Sequence, residues 1–100
     1  MEYIKSVSEF NELIQNEKVL VDFYAEWCGP CQMLGKVLEE VDKERDDIKI
    51  VKVNTDDFLS LAKDFKIMSI PAVKVFENGK VIKEKVGFMT KNELLEFIDN

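Results

Sequence analysis

From Lys18 to Tyr24 the chain runs Lys-Val-Leu-Val-Asp-Phe-Tyr, and after Ala25-Glu26-Trp27 come both of its cysteines, in Cys28-Gly29-Pro30-Cys31. A near-continuous β-branched and aromatic run has no polar face to offer water, so it predicts a strand covered on both sides of a sheet. Behind the cysteines, Leu34, Val37, Leu38 and Val41 recur at helical spacing, predicting a helix from about Cys31 to Arg45. Gly29 and Pro30 fall in or just before its first turn, where proline's fixed φ and missing N–H do no harm. A buried strand feeding a helix demands layers on both faces of the sheet. That requirement governs the rest of the chain.

The same stretch carries chemistry. A thiol at a helix N-terminus faces unpaired N–H groups and the positive end of the helix dipole, which favour its thiolate and make it nucleophilic near neutral pH. A second thiol one turn on can attack the mixed disulfide that the first has formed and release the partner reduced. Structural zinc would need about four Cys or His ligands, and the chain has two Cys and no His. A purely structural disulfide would close too short a loop to restrict the unfolded chain much. A redox-active pair is the reading that remains strongest.

The other elements fall in order along the chain. Tyr3 and Ile4 open as a short strand, and Ser6-x-x-Glu9 marks a helix start, with Phe10, Leu13 and Ile14 as its buried stripe. Ile48 to Val53 alternates as a second central strand. Asn54 to Asp57 turns the chain, and Phe58, Leu61, Ala62 and Phe65 give a short amphipathic helix. Lys66 to Ile70 is a loop leading to Pro71, and Ala72 to Phe76 is a strand. Glu77-Asn78-Gly79-Lys80 predicts a type I′ hairpin, returned by Val81 to Val86 with Lys83 and Lys85 guarding a sheet edge. Thr90-x-x-Glu93 caps a last helix with Leu94, Leu95 and Ile98 inward. The order is β-α-β-α-β-α-β-β-α. Crossovers of this kind predict an α/β protein, a three-layer α/β/α sandwich around a mixed five-stranded sheet.

Composition narrows the function. One hundred residues make one domain, 1–100, and leave no room for a nucleotide-binding one. A net charge of −6 with interspersed signs argues against nucleic acid and anionic membranes as partners. No stretch approaches the ~20 apolar residues of a membrane span, and Met1-Glu2-Tyr3-Ile4-Lys5 does not read as a secretory signal, so the expected location is cytoplasmic.

The run Val21-Asp22-Phe23-Tyr24-Ala25-Glu26-Trp27-Cys28-Gly29-Pro30-Cys31 resembles the thioredoxin family, as do Ser69-Ile70-Pro71-Ala72, Asn78-Gly79 and Val86-Gly87 at matching intervals. The resemblance implies a thioredoxin fold. It makes Cys28 the exposed attacking cysteine and Cys31 the buried resolving one. It makes Asp22 a buried carboxylate that exchanges a proton with the resolving thiol, and places Lys52 near it as a modulator. Residues by themselves leave Lys52 equally readable as solvated, and Asp22 as an aspartate at a strand end facing water. The resemblance also makes Pro71 a cis proline opposite the cysteines, with the Ile70 backbone pairing to substrate, and gathers Trp27, Gly29, Pro30, Ile70, Gly87 and Phe88 into apolar ground for partner proteins. Tyr24 stands where many members carry a second tryptophan, Gly35-Lys36 where many have a proline, Gln32 where a basic residue is common, and Ala72 where threonine is frequent.

The function so implied is protein-disulfide reduction by a Cys28/Cys31 dithiol couple, with no bound cofactor and no metal. A separate thioredoxin reductase would supply electrons, disulfide-bearing proteins would be the clients, and the chain would be a monomer in redox homeostasis and electron transport. A net oxidant or isomerase is the alternative within this chemistry. A binding module using the same apolar ground without turnover is the alternative outside it.

Overall fold

The computed structural model describes residues 1–100, arranged as β1 (Glu2–Tyr3), α1 (Val7–Leu13), β2 (Val19–Tyr24), α2 (Gly29–Glu44), β3 (Lys49–Asn54), α3 (Leu59–Asp64), β4 (Ala72–Glu77), β5 (Lys80–Val86) and α4 (Lys91–Asp99). The five strands form one sheet in the order β1-β3-β2-β4-β5. β1, β3 and β2 run parallel, β4 pairs antiparallel with β2 and β5 antiparallel with β4, so the sheet is mixed as expected. β2 lies at its centre, and its first five residues are buried.

Alternation along the strands sorts two cores. Val19, Val21 and Phe23 of β2 join Val51, Val53, Ala72 and Phe76 with Phe10 and Leu61 from α1 and α3. Rings of Phe10, Phe23, Phe65 and Phe76 meet there at 5.5–6.1 Å between centroids, mostly edge to face. Leu20, Ile50, Val73 and Val75 point the other way, against Leu34, Leu38 and Val41 of α2 and Leu94 and Ile98 of α4. On that second face β2 and β3 also carry Asp22 and Lys52.

Local chemistry explains the ends of the elements, and several depart from the sequence expectation. Thr90 and Glu93 form the reciprocal capping box of α4. At α1, Ser6 accepts from the Glu9 N–H, but the Glu9 carboxylate accepts from the Lys5 N–H instead of closing on Ser6, so only half of the box forms. α2 starts two residues before Cys31, because Cys28 itself caps it. Phe58 and Phe65 end as the caps of α3 and not as its helical residues. The hairpin is as predicted, with Asn78 and Gly79 at φ 51° and 87°. Lys83 does more than guard an edge. Its ammonium donates to the carbonyls of Phe97 and Ile98 at 2.9 and 3.1 Å, and Lys18 donates to Ile98 at 3.1 Å, so two lysines meet the negative end of α4.

Candidate active site

β2 ends at Tyr24, and after four connecting residues, the last of them Cys28, the chain enters α2 at Gly29. The turn sets both cysteines at the C-terminal edge of the sheet, where the strand delivers the chain to the mouth of the helix. Cys28 is the N-cap of α2, with extended backbone (φ −91°, ψ 110°), and its Sγ accepts the N–H of Cys31 at 3.2 Å. Sulfur takes the place of the usual serine or aspartate oxygen. Cys28 and Cys31 are joined as a disulfide with Cα atoms 5.2 Å apart.

One expectation is corrected here. Cys28 is only 5 % exposed, against 2 % for Cys31, so the attacking cysteine is not openly exposed in the oxidised chain. Cys28 packs with Ala25 and Cys31, alongside Tyr24 and Ile70. The Ile70 carbonyl oxygen stands 3.9 Å from Cys28 Sγ. The Ile70–Pro71 peptide is cis. Gly87, at φ 102°, donates its N–H to the Pro71 carbonyl at 2.8 Å and so carries the loop of Gly87 and Phe88 beside the proline. Gly29, Pro30 and Phe88 are exposed, and Ile70 and Gly87 are half-buried.

Trp27 is 72 % exposed, which rules out ordinary core packing for it. Its indole Nε1–H donates to Asp56 at 2.9 Å, across 29 residues of sequence. The Asn54 side chain accepts from the backbone N–H groups of Asp56 and Asp57, holding that loop in place. Asp56 was not singled out from sequence, and only its place in a turn after a central strand pointed to it.

On β2, two residues before Tyr24, the side chain of Asp22 is wholly buried, and Lys52 Nζ donates to its Oδ2 at 2.7 Å. Lys52 is itself buried at 4 % exposure, so the solvated alternative is set aside, as is a water-facing Asp22. Asp22 Oδ1 has no hydrogen-bond partner. Burial pushes the Asp22 carboxyl above its ordinary value of 3.8, and the charge and hydrogen bond of Lys52 offset that rise only in part. A cleft of about 150 Å³ reaches in from the side, lined by Tyr3, Tyr24, Cys31, Gly35 and Lys52 among others. No three Cys, Asp or Glu side chains converge in a way that could hold a metal ion.

Two cysteines that close a disulfide at a helix mouth, the first sulfur capping that helix, define a thiol–disulfide oxidoreductase. Comparison with known proteins gives the same answer. The thioredoxin family model matches residues 2–100. The chain is 42 % identical over 99 residues to a thioredoxin of Mycoplasmoides gallisepticum, covering 98 % of this chain and 99 % of that one. It is 41 % identical over 91 residues to one of Rickettsia prowazekii, covering 89 % and 87 %. The solution structure of oxidised thioredoxin from Plasmodium falciparum superposes with a TM-score of 0.90 at 34 % identity, over 99 % of this chain and 95 % of that one. The chain belongs to the thioredoxin family.

Proposed function

We propose that this chain is a one-domain, monomeric protein-disulfide reductase of the cytoplasm, re-reduced by a separate thioredoxin reductase and serving redox homeostasis and electron transport. The observation that carries the reading is the place of Cys28: its sulfur caps α2 and accepts the Cys31 N–H, the position in which a helix best stabilises a sulfur anion. In the reduced chain the Cys28 thiolate attacks one sulfur of a client disulfide. That S–S bond breaks, the other client sulfur leaves as thiolate, and a Cys28–client disulfide forms. The Cys31 thiol gives its proton to Asp22, whose unpartnered Oδ1 is free to take it. The Cys31 thiolate then attacks Cys28 Sγ, the client leaves with its second sulfur reduced, and the intramolecular disulfide closes. Two electrons have passed from the dithiol to the client. The reductase restores them.

The ground around the disulfide supports a protein client. Trp27, Gly29, Pro30 and Phe88 are exposed apolar or small residues that a client could rest on, and the Ile70 carbonyl, 3.9 Å from Cys28 Sγ, would pair with an extended client strand. A dithiol working as a reductant suits a compartment that keeps thiols reduced, hence the cytoplasmic assignment. In a reductase-coupled assay Cys28→Ser should abolish insulin disulfide reduction, whereas Cys31→Ser should accumulate clients covalently bound through Cys28, read by mass. Turnover retained by Cys28→Ser overturns the reading.

A further inference from the structure

Lys52 poses a question that its ion pair does not answer. Its four-carbon stem is flexible, and the cleft beside it would let the ammonium extend toward water, as lysines near a surface do. A buried ion pair by itself barely offsets the desolvation of its two charges. Yet the ammonium stays on Asp22 at 2.7 Å.

Two aromatic rings enclose it. Strand register sets Tyr3 of β1 beside Lys52 of β3, and Lys52 beside Asp22 of β2. Tyr24, two residues beyond Asp22, shares that face. Lys52 Nζ lies 4.4 Å from the Tyr24 ring centroid and 6.0 Å from that of Tyr3. The two rings meet edge to face, 6.4 Å apart at 87°. We infer that Tyr24, backed by Tyr3, is a positioning residue: the two rings seat the Lys52 ammonium on Asp22 and keep it out of the cleft that leads to Cys31.

The attraction comes from the ring faces and not from the hydroxyls, and it is strongest where water is excluded. Burial first, then Glu26 and Tyr3, raise the Tyr24 phenol above its ordinary 10.0, so the ring is neutral at physiological pH. The groups around Asp22 are few. β3 offers Lys52, β4 offers Val73 in register, and β2 itself offers Tyr24, whose phenol feels the Asp22 charge but stays neutral where a carboxyl titrates, while Cys31 on α2 is held in the disulfide and does not titrate. Any loss of the seat therefore reaches Asp22 through Lys52. A lysine freed to leave stabilises the carboxylate less, and the Asp22 titration moves up.

The inference rests on the proposed proton exchange only for its consequence in turnover, and two measurements separate the two. The first is the Asp22 carboxyl carbon titration by NMR in the oxidised protein, assigned by its loss in Asp22→Asn. Tyr24→Phe, which keeps the ring, should titrate with the unaltered chain. Tyr24→Leu should titrate higher by about half a pH unit or more, a size set by the range of cation–π energies. Tyr3→Leu, a change on an exposed edge strand, should shift the same way by less, and it carries the test if Tyr24→Leu does not fold. A midpoint that stays put or falls in the folded leucine variant overturns the inference. The second is the pH dependence of mixed-disulfide resolution. An unchanged profile in Asp22→Asn sinks the proton role and leaves the seat standing on the NMR shift. A profile lost in Asp22→Asn, with no NMR shift in Tyr24→Leu, sinks the seat alone.

Discussion

An ionised Asp22 works against the fold that contains it. Its carboxyl is raised by burial above 3.8, with Lys52 offsetting only part of the rise, so between 3.8 and the folded value the native chain binds more protons than the unfolded chain. Stability then falls as pH rises through that window. Asp22→Asn, which keeps an oxygen for Lys52, should be more stable than the parent at pH 8 in urea unfolding, with the difference closing as pH falls toward 3.8. A variant less stable than the parent at pH 8 would mean that the ion pair outweighs the desolvation. The cysteines and Asp22 were legible as residues, since a C-x-x-C at a strand-to-helix junction and a lone carboxylate in an apolar run each break a pattern. The state of Lys52 was not, because what holds a lysine down comes from Tyr3 and Tyr24 on two other strands. Nor was the Trp27–Asp56 bond, whose partners only the folded loops bring together. The opening at Cys28 was overestimated, since Ala25, Tyr24 and Ile70 from outside the helix pack against it.

At the level of elements, Gly35 is the residue of α2 that helix propensity would replace first, since glycine inside a helix costs about 1 kcal/mol relative to alanine. Either a bend or close packing could explain it from sequence, and the structure shows a single close neighbour: a Cβ there would lie 3.6 Å from Lys52 Nζ. That distance is ordinary contact with the end of a flexible side chain, so a methyl fits and no neighbour requires glycine there. Gly35→Ala should stabilise the chain by about 1 kcal/mol, a rise in Tm of roughly 4–8 °C for a domain of this size. A lower Tm would show that the methyl displaces the ammonium. Most elements were legible in their periodicity, and their ends were not. α2 begins early because a sulfur caps it, and no list of favoured capping residues suggests that. α3 is shorter than its apolar spacing because Phe58, at φ −126°, is not helical and no side chain caps that end.

At the level of the molecule, chemistry and fastening lie at opposite ends of α2, whose 16 residues span about 24 Å. Cys28 stands at its head. At its foot Arg45 grips two carboxylates with both faces of its fork, Asp47 at 2.7 and 2.8 Å and Asp99 at 2.9 and 3.1 Å, joining α2 to the end of α4. Arg45 holds Asp47 at about 2, below its ordinary 3.8. A lowered carboxyl adds stability that is present above 3.8 and lost as pH falls through about 2. Arg45→Ala should return the Asp47 titration toward 3.8 and be less stable than the parent at pH 7, the two chains converging near pH 2. An Asp47 midpoint left where it was would show that something else depresses it. The layered fold and the mixed sheet were legible from the order of elements, because crossovers constrain topology. This clamp was not, since its two ends lie 54 residues apart.

Dissolved electrolyte distinguishes these two ends. Ions screen charges that water reaches and leave a sequestered pair almost untouched. Brine should therefore slacken the Arg45 grip at the base while Asp22 and Lys52, both buried, largely keep their balance. Robustness and reactivity in this chain answer to different properties of the solvent.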